Sequence, residues 1–219
     1  KREMRIPLQQ LTGVQEFMGL EFQVNEHVLI PRQDTETLVE LVLSEHKEKN
    51  ISLLDVCTGS GCIAISLAKL GGYTDVTALD LSEEALKVAR SNGEKLLDQP
   101  VKFIKSDMFS ALNPEKQYNV IVSNPPYIPS QVIEGLEPEV KDHEPRMALD
   151  GEPDGLKFYR ILAEEGKKYL KNGGSIYMEI GWDQAKDVTE IFEAMGFSGL
   201  RTVRDMAGND RVVCARKEK

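Results

Sequence analysis

The stretch LLDVCTGSGCIAISLAKL, residues 53–70, decides the fold. It opens with an apolar run of strand formers, turns at Gly59 and Gly61, and continues with apolar residues at helical spacing up to Gly71 and Gly72. A strand, a glycine turn and a helix in this order are typical of the first unit of a parallel sheet that binds a nucleotide-type cofactor. We therefore predict a ligand site at the carboxyl end of this strand.

The same alternation continues along the chain and predicts an α/β protein with a parallel sheet covered by helices on both faces. The predicted strands are 52–56, 75–79, 101–105, 118–123 and 175–179, the predicted helices are 62–70, 82–92, 156–170 and 184–195, and a closing hairpin joins 200–204 to 211–215 across the turn AGND. Ser82 is the predicted N-cap of the second of these helices, with Glu83 and Glu84 in its first turn.

Two further segments flank this core. FMGLEFQVNEHVLI, residues 17–30, alternates like a β-hairpin, and Asp34 or Thr35 is expected to cap a helix that follows it. Residues 125–155 are rich in proline and show no convincing periodicity, so we predict a long functional loop there. We divide the chain into a hairpin linker region, 1–33, and a catalytic domain, 34–219.

Composition restricts the class of protein. The 219 residues are 41% hydrophobic and carry 36 acidic against 27 basic side chains, a formal net charge of -9. This charge opposes binding to phosphate backbones, so we expect no direct nucleic-acid partner. We find no signal-peptide pattern and no membrane-spanning run, and we predict a cytoplasmic monomer. The three cysteines fit neither a zinc finger nor a disulfide framework, so we expect no metal.

The first candidate site is the cofactor loop. Asp80 ends the strand that follows the glycine turn, where a carboxylate suits two ribose hydroxyls. Asp55 should face the group that links the two halves of the cofactor. A carboxylate there would repel the pyrophosphate of NAD and attract the ammonium and sulfonium of S-adenosylmethionine. Asp107 and Met108, after the third strand, are candidates for holding an adenine ring.

The second candidate site is the sequence NPPY, residues 124–127, which follows a predicted strand. Asn124 and Pro125 both precede a proline, so the backbone is extended and stiff and lacks two N–H donors. It offers acceptors, namely the Asn124 side-chain oxygen and the Pro125 carbonyl, and therefore selects a planar NH2 group. Tyr127 is available to stack on that flat group. Two acceptors holding both N–H bonds would aim an amide nitrogen at the transferred methyl group.

Taken together, the motifs IPRQDTE, DVCTGSGCIA, ALDLS, SDMF, SNPPYI, ALDGEPDGLKFYRIL and GNDRVV resemble those of the release factor glutamine N5-methyltransferases, the PrmC or HemK family. The resemblance covers about residues 6–216. It implies a class I S-adenosylmethionine-dependent methyltransferase fold, a Rossmann-like seven-stranded sheet with the last strand antiparallel. It also implies methyl transfer to the glutamine amide of the Gly-Gly-Gln motif in class I peptide chain release factors.

The resemblance assigns roles to individual residues. By the match of motifs, the cofactor-binding residues are Asp55, Cys57, Thr58, Gly59, Ser60, Gly61, Asp80, Asp107, Met108 and Asn124, and the glutamine is held by Asn124, Pro125, Pro126 and Tyr127 with Arg32 nearby. Asn124, Pro125 and Tyr127 are the predicted catalytic residues. Pro31 and Thr35, from the PRQDTE motif, are expected near the active site.

Three positions depart from the family pattern. The family usually has glycine at the position of Cys57, often an aromatic residue at that of Met108, and proline at that of Gln33. We expect these changes to affect cofactor affinity rather than the reaction. The family also carries an N-terminal helical domain that the sequence given does not contain, and we expect weaker binding to the release factor without it.

The acidic residues of the 125–155 loop suggest a further hypothesis. Eight carboxylates there outnumber the nearby basic residues, and they would steer the basic surface of a release factor. The alternatives for the whole chain are an N6-adenine nucleic-acid methyltransferase, a ribosomal-protein glutamine methyltransferase, an NAD-dependent dehydrogenase and a noncatalytic binding module.

Overall fold

A seven-stranded mixed sheet forms the centre of the molecule in the computed structural model, which describes residues 4–218. The strands are β3 (Ser52–Val56), β4 (Asp75–Asp80), β5 (Lys102–Lys105), β6 (Tyr118–Ser123), β7 (Leu170–Glu179), β8 (Phe197–Arg204) and β9 (Asp210–Lys217), in the order β5-β4-β3-β6-β7-β9-β8. Strands β3 to β7 pair in parallel, and β9 runs antiparallel to both β7 and β8. The predicted fold class is confirmed.

Two layers of helices cover this sheet because alternate residues of each central strand point to opposite faces. Leu53 and Val120 enter one core cluster, whereas their neighbours Leu54 and Ile121 enter the other. The first face carries α2 (Gln33–Glu45), α3 (Cys62–Gly71) and α4 (Glu83–Leu96), and the second carries α8 (Lys157–Tyr169) and α9 (Ala185–Ala194). Strand β3 is buried along its whole length, as expected of a central strand covered on both faces.

Helix α4 illustrates how well local signals predicted the elements. Ser82 caps it as expected, with its Oγ accepting from the backbone N–H of Ala85 at 3.1 Å. The helix continues to Leu96, past the predicted end near Asn92. Gly93 does not stop it, because that glycine packs against the ring of Phe103 on β5.

The N-terminal hairpin lies earlier in the chain than predicted. A short helix, α1 (Leu8–Thr12), precedes strands β1 (Val14–Phe17) and β2 (Leu20–Gln23). The two turn residues, Met18 and Gly19, both have positive φ, which matches the twist of a tight hairpin. Residues 24–30, which the prediction included in the hairpin, are irregular, because Val24 and Val28 pack against α4 instead of pairing.

The start of α2 also differs from the prediction. The helix begins at Gln33, and Arg32 occupies the N-cap position without a side-chain hydrogen bond to the backbone. Asp34 and Thr35, the predicted caps, lie inside the first turn, where Asp34 is favoured by the helix dipole. The division of the chain at residues 33 and 34 stays a prediction. The hairpin contributes Phe17 to the same core as the sheet.

Residues 125–155 form an excursion from the carboxyl end of β6, made of three single-turn helices, α5 (Ser130–Ile133), α6 (Pro138–Lys141) and α7 (Arg146–Leu149). Its two ends are joined: Ile128 donates to Leu149 O at 3.0 Å and Gly151 donates to Ile128 O at 2.9 Å. The excursion therefore has a closed base beside the end of β6. No helix in the described part of the chain has the length and apolar character needed to cross a membrane.

Candidate active site

A cavity of about 420 Å³ opens at the carboxyl ends of β3, β4 and β6. It is bounded by the glycine turn on one side, the segment before α2 on another, and the excursion on a third. Predicted site residues on its wall are Pro31, Arg32, Thr35, Cys57, Thr58, Gly59, Ser60, Asp80, Asp107, Met108, Asn124 and Pro126. In open α/β sheets this edge is where ligands bind.

The predicted glycine turn has a left-handed backbone at several positions. Gly59 and Gly61 have φ of +55° and +82°, and Cys57 has φ of +65°, which is costly for a residue with a side chain. A Cβ at Gly61 would lie 2.8 Å from Ile65 Cδ1 and 3.2 Å from Ala89 Cβ, so only glycine fits there. The positive φ at Cys57 is a conformation that glycine adopts more easily than cysteine.

The role predicted for Asp55 is corrected by its position. Its side chain is fully buried and is absent from the cavity wall. Asp55 shares the α3-facing side of β3 with Leu53, and its Oδ2 accepts from the Thr58 hydroxyl at 2.6 Å and from Ala64 N at 3.2 Å. The carboxylate therefore supports the glycine turn from beneath and does not face the ligand directly.

Asp80 has the geometry predicted for a ribose acid. It lines the cavity, and its Oδ2 and Oδ1 accept from the backbone N–H groups of Gly59, at 2.8 Å, and Ser82, at 2.9 Å. Burial raises the pKa of Asp80, and these N–H groups oppose the rise. Each carboxylate oxygen keeps a lone pair, so the group can still accept from two hydroxyls.

Asp107 and Met108 lie on the same wall. Asp107 is exposed and available to a ligand, whereas Met108 is buried with its sulfur 3.9 Å from Cys57 Sγ. Both sulfur-bearing residues have positive φ, +65° at Cys57 and +47° at Met108. The two departures from the family pattern are therefore in contact with each other.

Asn124 is the residue of the NPPY motif whose side chain is best placed for chemistry. It lines the cavity, and its Nδ2 donates to Thr35 Oγ1 at 3.4 Å. Since the nitrogen is turned toward Thr35, the amide oxygen is the end left for a ligand. Pro126 also lines the cavity, but Pro125 is buried and is absent from the wall.

The stacking role predicted for Tyr127 does not fit its position. Tyr127 is absent from the cavity wall and packs against the second core cluster. Its hydroxyl donates to Glu179 Oε1 at 3.3 Å, and burial raises its pKa. The tyrosine thus connects the motif to the end of β7.

Arg32 reaches the cavity wall but has a partner in the excursion. Its Nη2 lies 2.6 Å from Glu144 Oε2, and Glu144 Oε1 accepts from Ile30 N at 3.0 Å. Burial raises the pKa of Glu144, and Arg32 opposes that rise. The ion pair ties the excursion to the segment before α2.

Most carboxylates of the excursion have basic partners within the chain. They form ion pairs within the chain: Glu134 and Asp150 with Arg146, Glu137 and Glu139 with Arg5, Glu144 with Arg32, Glu152 with Lys157, and Asp154 with Arg160. The excursion keeps more carboxylates than basic residues, and the steering of a basic partner stays a prediction.

Sequence reasoning missed four residues that hold the NPPY motif in place. Gln184 Nε2 donates to Tyr127 O at 3.0 Å and to Gly155 O at 3.3 Å. A Cβ at Gly151 would lie 2.8 Å from Tyr127 Cα, and one at Gly155 would collide with Tyr127 O. The glycine spacing in DGEPDG was a usable signal, because two glycines around a proline often mark a close backbone approach.

The fourth missed residue is Glu179, whose side chain is fully buried at the end of β7. Burial raises its pKa to about 7, while Thr35, Arg211 and Tyr127 oppose the rise. Its Oε2 has no hydrogen-bond partner among the described residues. Nothing in the local sequence marked this glutamate, because its partners come from distant segments.

The cations of the cavity wall favour a sulfonium nucleotide over a dinucleotide. Among the described residues no lysine lines the wall, and its two arginines are Arg32 and Arg146. Arg32 is already paired with Glu144 and Arg146 with Glu134, so neither is left free for a pyrophosphate. Among the described residues no cluster of three or more His, Cys, Asp or Glu side chains is arranged to hold a metal ion.

Comparisons with known proteins identify the family of this chain. The family model described as the methyltransferase small domain matches residues 33–135. The release factor glutamine methyltransferase of Fusobacterium nucleatum is 44% identical over 99% of this chain and 62% of its own length, and that of Geobacter sulfurreducens is 42% identical over 99% and 75%. The chain therefore spans between three fifths and four fifths of these relatives.

One solved structure extends the agreement to the fold. The crystal structure of a release factor-specific protein-(glutamine-N5) methyltransferase from Alicyclobacillus acidocaldarius is 32% identical, with a TM-score of 0.53, and the match covers 90% of this chain and all of that one. Together with the sequence relatives, it shows that this chain belongs to the release factor glutamine methyltransferase family.

Proposed function

We propose that this chain transfers a methyl group from S-adenosylmethionine to the side-chain amide nitrogen of the glutamine in the Gly-Gly-Gln motif of peptide chain release factors. The family membership supports the reaction. The observation that carries the site is the position of Asn124, whose amide nitrogen is held by Thr35 in the same cavity that Asp80 lines.

The chemistry follows from what the residues present can accept. S-adenosylmethionine, when bound, supplies an electrophilic methyl group on a cationic sulfur. Asp80 would accept from the ribose hydroxyls, and Met108 would pack on the adenine with Asp107 beside it. A free Asp107 carboxylate at the wall can accept from an exocyclic amino group.

The substrate amide needs positioning more than it needs a base. An amide nitrogen is a poor nucleophile because its lone pair is delocalised into the carbonyl. The Asn124 oxygen and the Pro125 carbonyl would accept its two N–H bonds and favour the positive charge that develops during attack. Among the described residues, the cysteine thiols are unsuited to nucleophilic catalysis, since burial raises the pKa of Cys62 to about 12 and of Cys57 further still.

The remaining expectations are part of the same proposal. Residues 34–219 would form the catalytic domain, with residues 1–33 as a linker region that carries the hairpin. The protein would act in the cytoplasm as a monomer and bind no nucleic acid directly, consistent with its net charge of -9.

The test is mass analysis of a purified release factor after incubation with this chain and S-adenosylmethionine. We expect one added methyl group on the glutamine of the Gly-Gly-Gln peptide. Asn124→Ala should lose about a hundredfold or more in rate, because it removes an acceptor that acts on developing charge. Binding of S-adenosylmethionine, measured by calorimetry, should change much less. Methylation of a DNA duplex instead of the release factor would favour an adenine methyltransferase.

A further inference from the structure

We propose that Trp182 and Met206 form a docking surface for the release factor, which binds there through a part of its own surface outside the glutamine that enters the cavity. This inference rests on the proposed function and adds to it a second, separate contact with the same partner. Recognition of the protein is assigned to this docking surface, and methyl transfer to the NPPY motif.

Both side chains of the docking surface are large, apolar and open to solvent. Trp182, the single tryptophan of the chain, is 69% exposed, and Met206 is fully exposed. Tryptophan buries a large area when a partner covers it and is among the residues that contribute most to the stability of protein interfaces. Methionine is flexible and polarisable, so it adapts to a partner of irregular shape. The pair therefore has the composition of an interface core.

Sheet topology places the two residues at the edge where the active site lies. Strand β7 ends at Glu179, and Trp182 lies in the turn that follows. Strand β9 is antiparallel to both β7 and β8, so β7 and β8 end at the same edge, and Met206 lies in the turn after β8. Strand β6 also ends there, at the start of the NPPY motif. The docking surface thus continues the active site along the sheet, away from the glycine turn.

Hydrogen bonds connect the turn of Trp182 to the NPPY motif. Gln184 Oε1 accepts from Gly181 N at 2.9 Å, and Gln184 N donates to Gly181 O at 3.0 Å, which closes the turn around Trp182. The other end of the same side chain, Nε2, donates to Tyr127 O at 3.0 Å. A partner that rests on Trp182 is therefore held at a fixed position relative to the motif that binds its glutamine.

The turn of Met206 is fixed to the same frame by Arg211. Arg211 Nη1 donates to Ile180 O at 3.3 Å, directly after β7, and its Nε donates to Asp205 Oδ2 at 3.1 Å, next to Met206 in the sequence. Asp205 also closes its own turn, because its Oδ1 accepts from Asn209 N at 2.9 Å. Since the backbone of both turns is already ordered, binding a partner costs little conformational entropy there.

Charge favours a basic protein as the occupant of the docking surface. Asp183 and Asp187, which follow Trp182 closely, are exposed and form no ion pair among residues 4–218. The nearby cations are already paired with carboxylates: Lys186, Arg204 and Arg211. A second copy of this chain would bring a formal net charge of -9, and an anionic lipid surface would also be repelled. The basic surface expected of a release factor has the opposite charge, and that protein must reach the adjacent NPPY motif in any case.

Kinetics with two substrates test this inference first. One substrate is the whole release factor, and the other is a short peptide containing Gly-Gly-Gln, which is too small to reach the cavity and the docking surface together. Trp182→Ala should raise the KM for the release factor about tenfold or more, and Met206→Ala about threefold. Values of kcat and the affinity for S-adenosylmethionine should stay within about twofold, and kcat/KM for the peptide should not change.

Leu70→Ala is the matched control, because it removes an exposed side chain at the opposite edge of the sheet, where α3 leads into β4. It should leave the KM for the release factor unchanged. An equal loss with the peptide and with the release factor in Trp182→Ala would overturn the inference, since it would show that the tryptophan only supports the fold of the site.

A second measurement needs no turnover. Labelling with fluorotryptophan gives the protein a single ¹⁹F NMR signal, because Trp182 is its only tryptophan. In the presence of S-adenosylhomocysteine, titration with unlabelled release factor should shift or broaden this signal. The same titration with the short peptide should leave the signal in place.

The outcomes separate this inference from the proposed function. A ¹⁹F signal that stays unchanged at release factor concentrations that saturate methyl transfer would overturn the inference and leave the proposed function intact. Self-association of the free chain that Trp182→Ala abolishes, measured by analytical ultracentrifugation, would also overturn it, because a second copy would then be the occupant. If wild type methylates no release factor, the proposed function fails, and the ¹⁹F titration still decides whether that protein docks on Trp182.

Discussion

Two buried carboxylates lie behind the two halves of the active site, and they differ in how they are held. Asp55 at the end of β3 and Glu179 at the end of β7 share the same face of the sheet, and burial raises the pKa of each to about 7. Among the described residues, Asp55 accepts from Thr58 and Ala64, both within nine positions of it in the sequence. Glu179 accepts from the hydroxyl of Tyr127, 52 residues away.

This difference separates two tasks. The hydrogen bonds of Asp55 lie within one strand, turn and helix, and the neighbouring strand β4 adds a contact from Asp80 to Gly59 N. The network of Glu179 exists only when α2, β6 and β7 are packed together. The cofactor side is thus built locally, whereas the substrate side depends on the whole fold.

The largest expected effects come from glycines on the two sides. Gly61→Ala and Gly155→Ala each force a side chain into a left-handed backbone and against neighbouring atoms, so each should cost about 2–4 kcal/mol in unfolding free energy. Calorimetry should show S-adenosylmethionine affinity falling at least tenfold for Gly61→Ala only, and kinetics should show kcat falling mainly for Gly155→Ala.

Gly208→Ala is the matched control for both variants, since Gly208 has φ of +87° but open space around its Cβ. Its unfolding free energy should fall only by the cost of a left-handed backbone, about 1–2 kcal/mol. Cofactor affinity and kcat should both be retained. If Gly61→Ala and Gly155→Ala damaged cofactor binding and turnover equally, the two sides would not be separate.

An intermediate effect is expected from pH. A carboxyl whose pKa is raised by folding contributes stability below its unfolded pKa and loses it as pH rises through the folded value. Asp55 should therefore make the protein less stable at pH 8 than at pH 5.5, by on the order of 2 kcal/mol. Denaturant unfolding at the two pH values should show this loss in wild type and a smaller one in Asp55→Asn.

Glu179→Gln should likewise reduce the loss of stability between pH 5.5 and pH 8, because it removes the buried carboxyl on the substrate side. Because the two carboxyls have no common hydrogen-bond partner, the double variant should show the sum of the two single effects. A pH slope in Asp55→Asn equal to that of wild type would show that Asp55 does not titrate in this range.

The smallest effect is expected at Cys57. Its φ of +65° costs about 1–2 kcal/mol for a residue with a Cβ, and glycine removes this cost while adding roughly 0.5–1 kcal/mol of backbone entropy. Cys57→Gly should therefore stabilise the protein by at most about 1 kcal/mol, measured by thermal unfolding. A loss of stability would show that the contact of Cys57 with Met108 outweighs the strain.

Sequence alone was sufficient for what is local. The strand, turn and helix around Gly59 and the cap at Ser82 are specified by neighbouring residues, and the motif order identified the family. The direction of Asp55 was mistaken because the glycine motif alone did not decide which face of β3 its carboxylate takes. Alternation places it with Leu53 beneath α3.

What could not be predicted is what the chain assembles from far apart. The hydroxyl of Tyr127 binds a glutamate 52 residues away, and Arg32 pairs with Glu144 across 112 residues. Neither partner lies in a pattern with its counterpart, so no spacing rule applies. The ion pairs of the excursion could not be predicted for the same reason, because their basic partners include Arg5, which is far from the excursion in the sequence.

The closed base of the excursion separates its outer segment from the NPPY motif. Because backbone hydrogen bonds join Ile128 to Leu149 and Gly151, the segment from Glu134 to Asp142 projects from a fixed base. We expect changes of length in that segment to leave the geometry of NPPY unchanged, so a recognition peptide grafted there should not affect the methyl-transfer step.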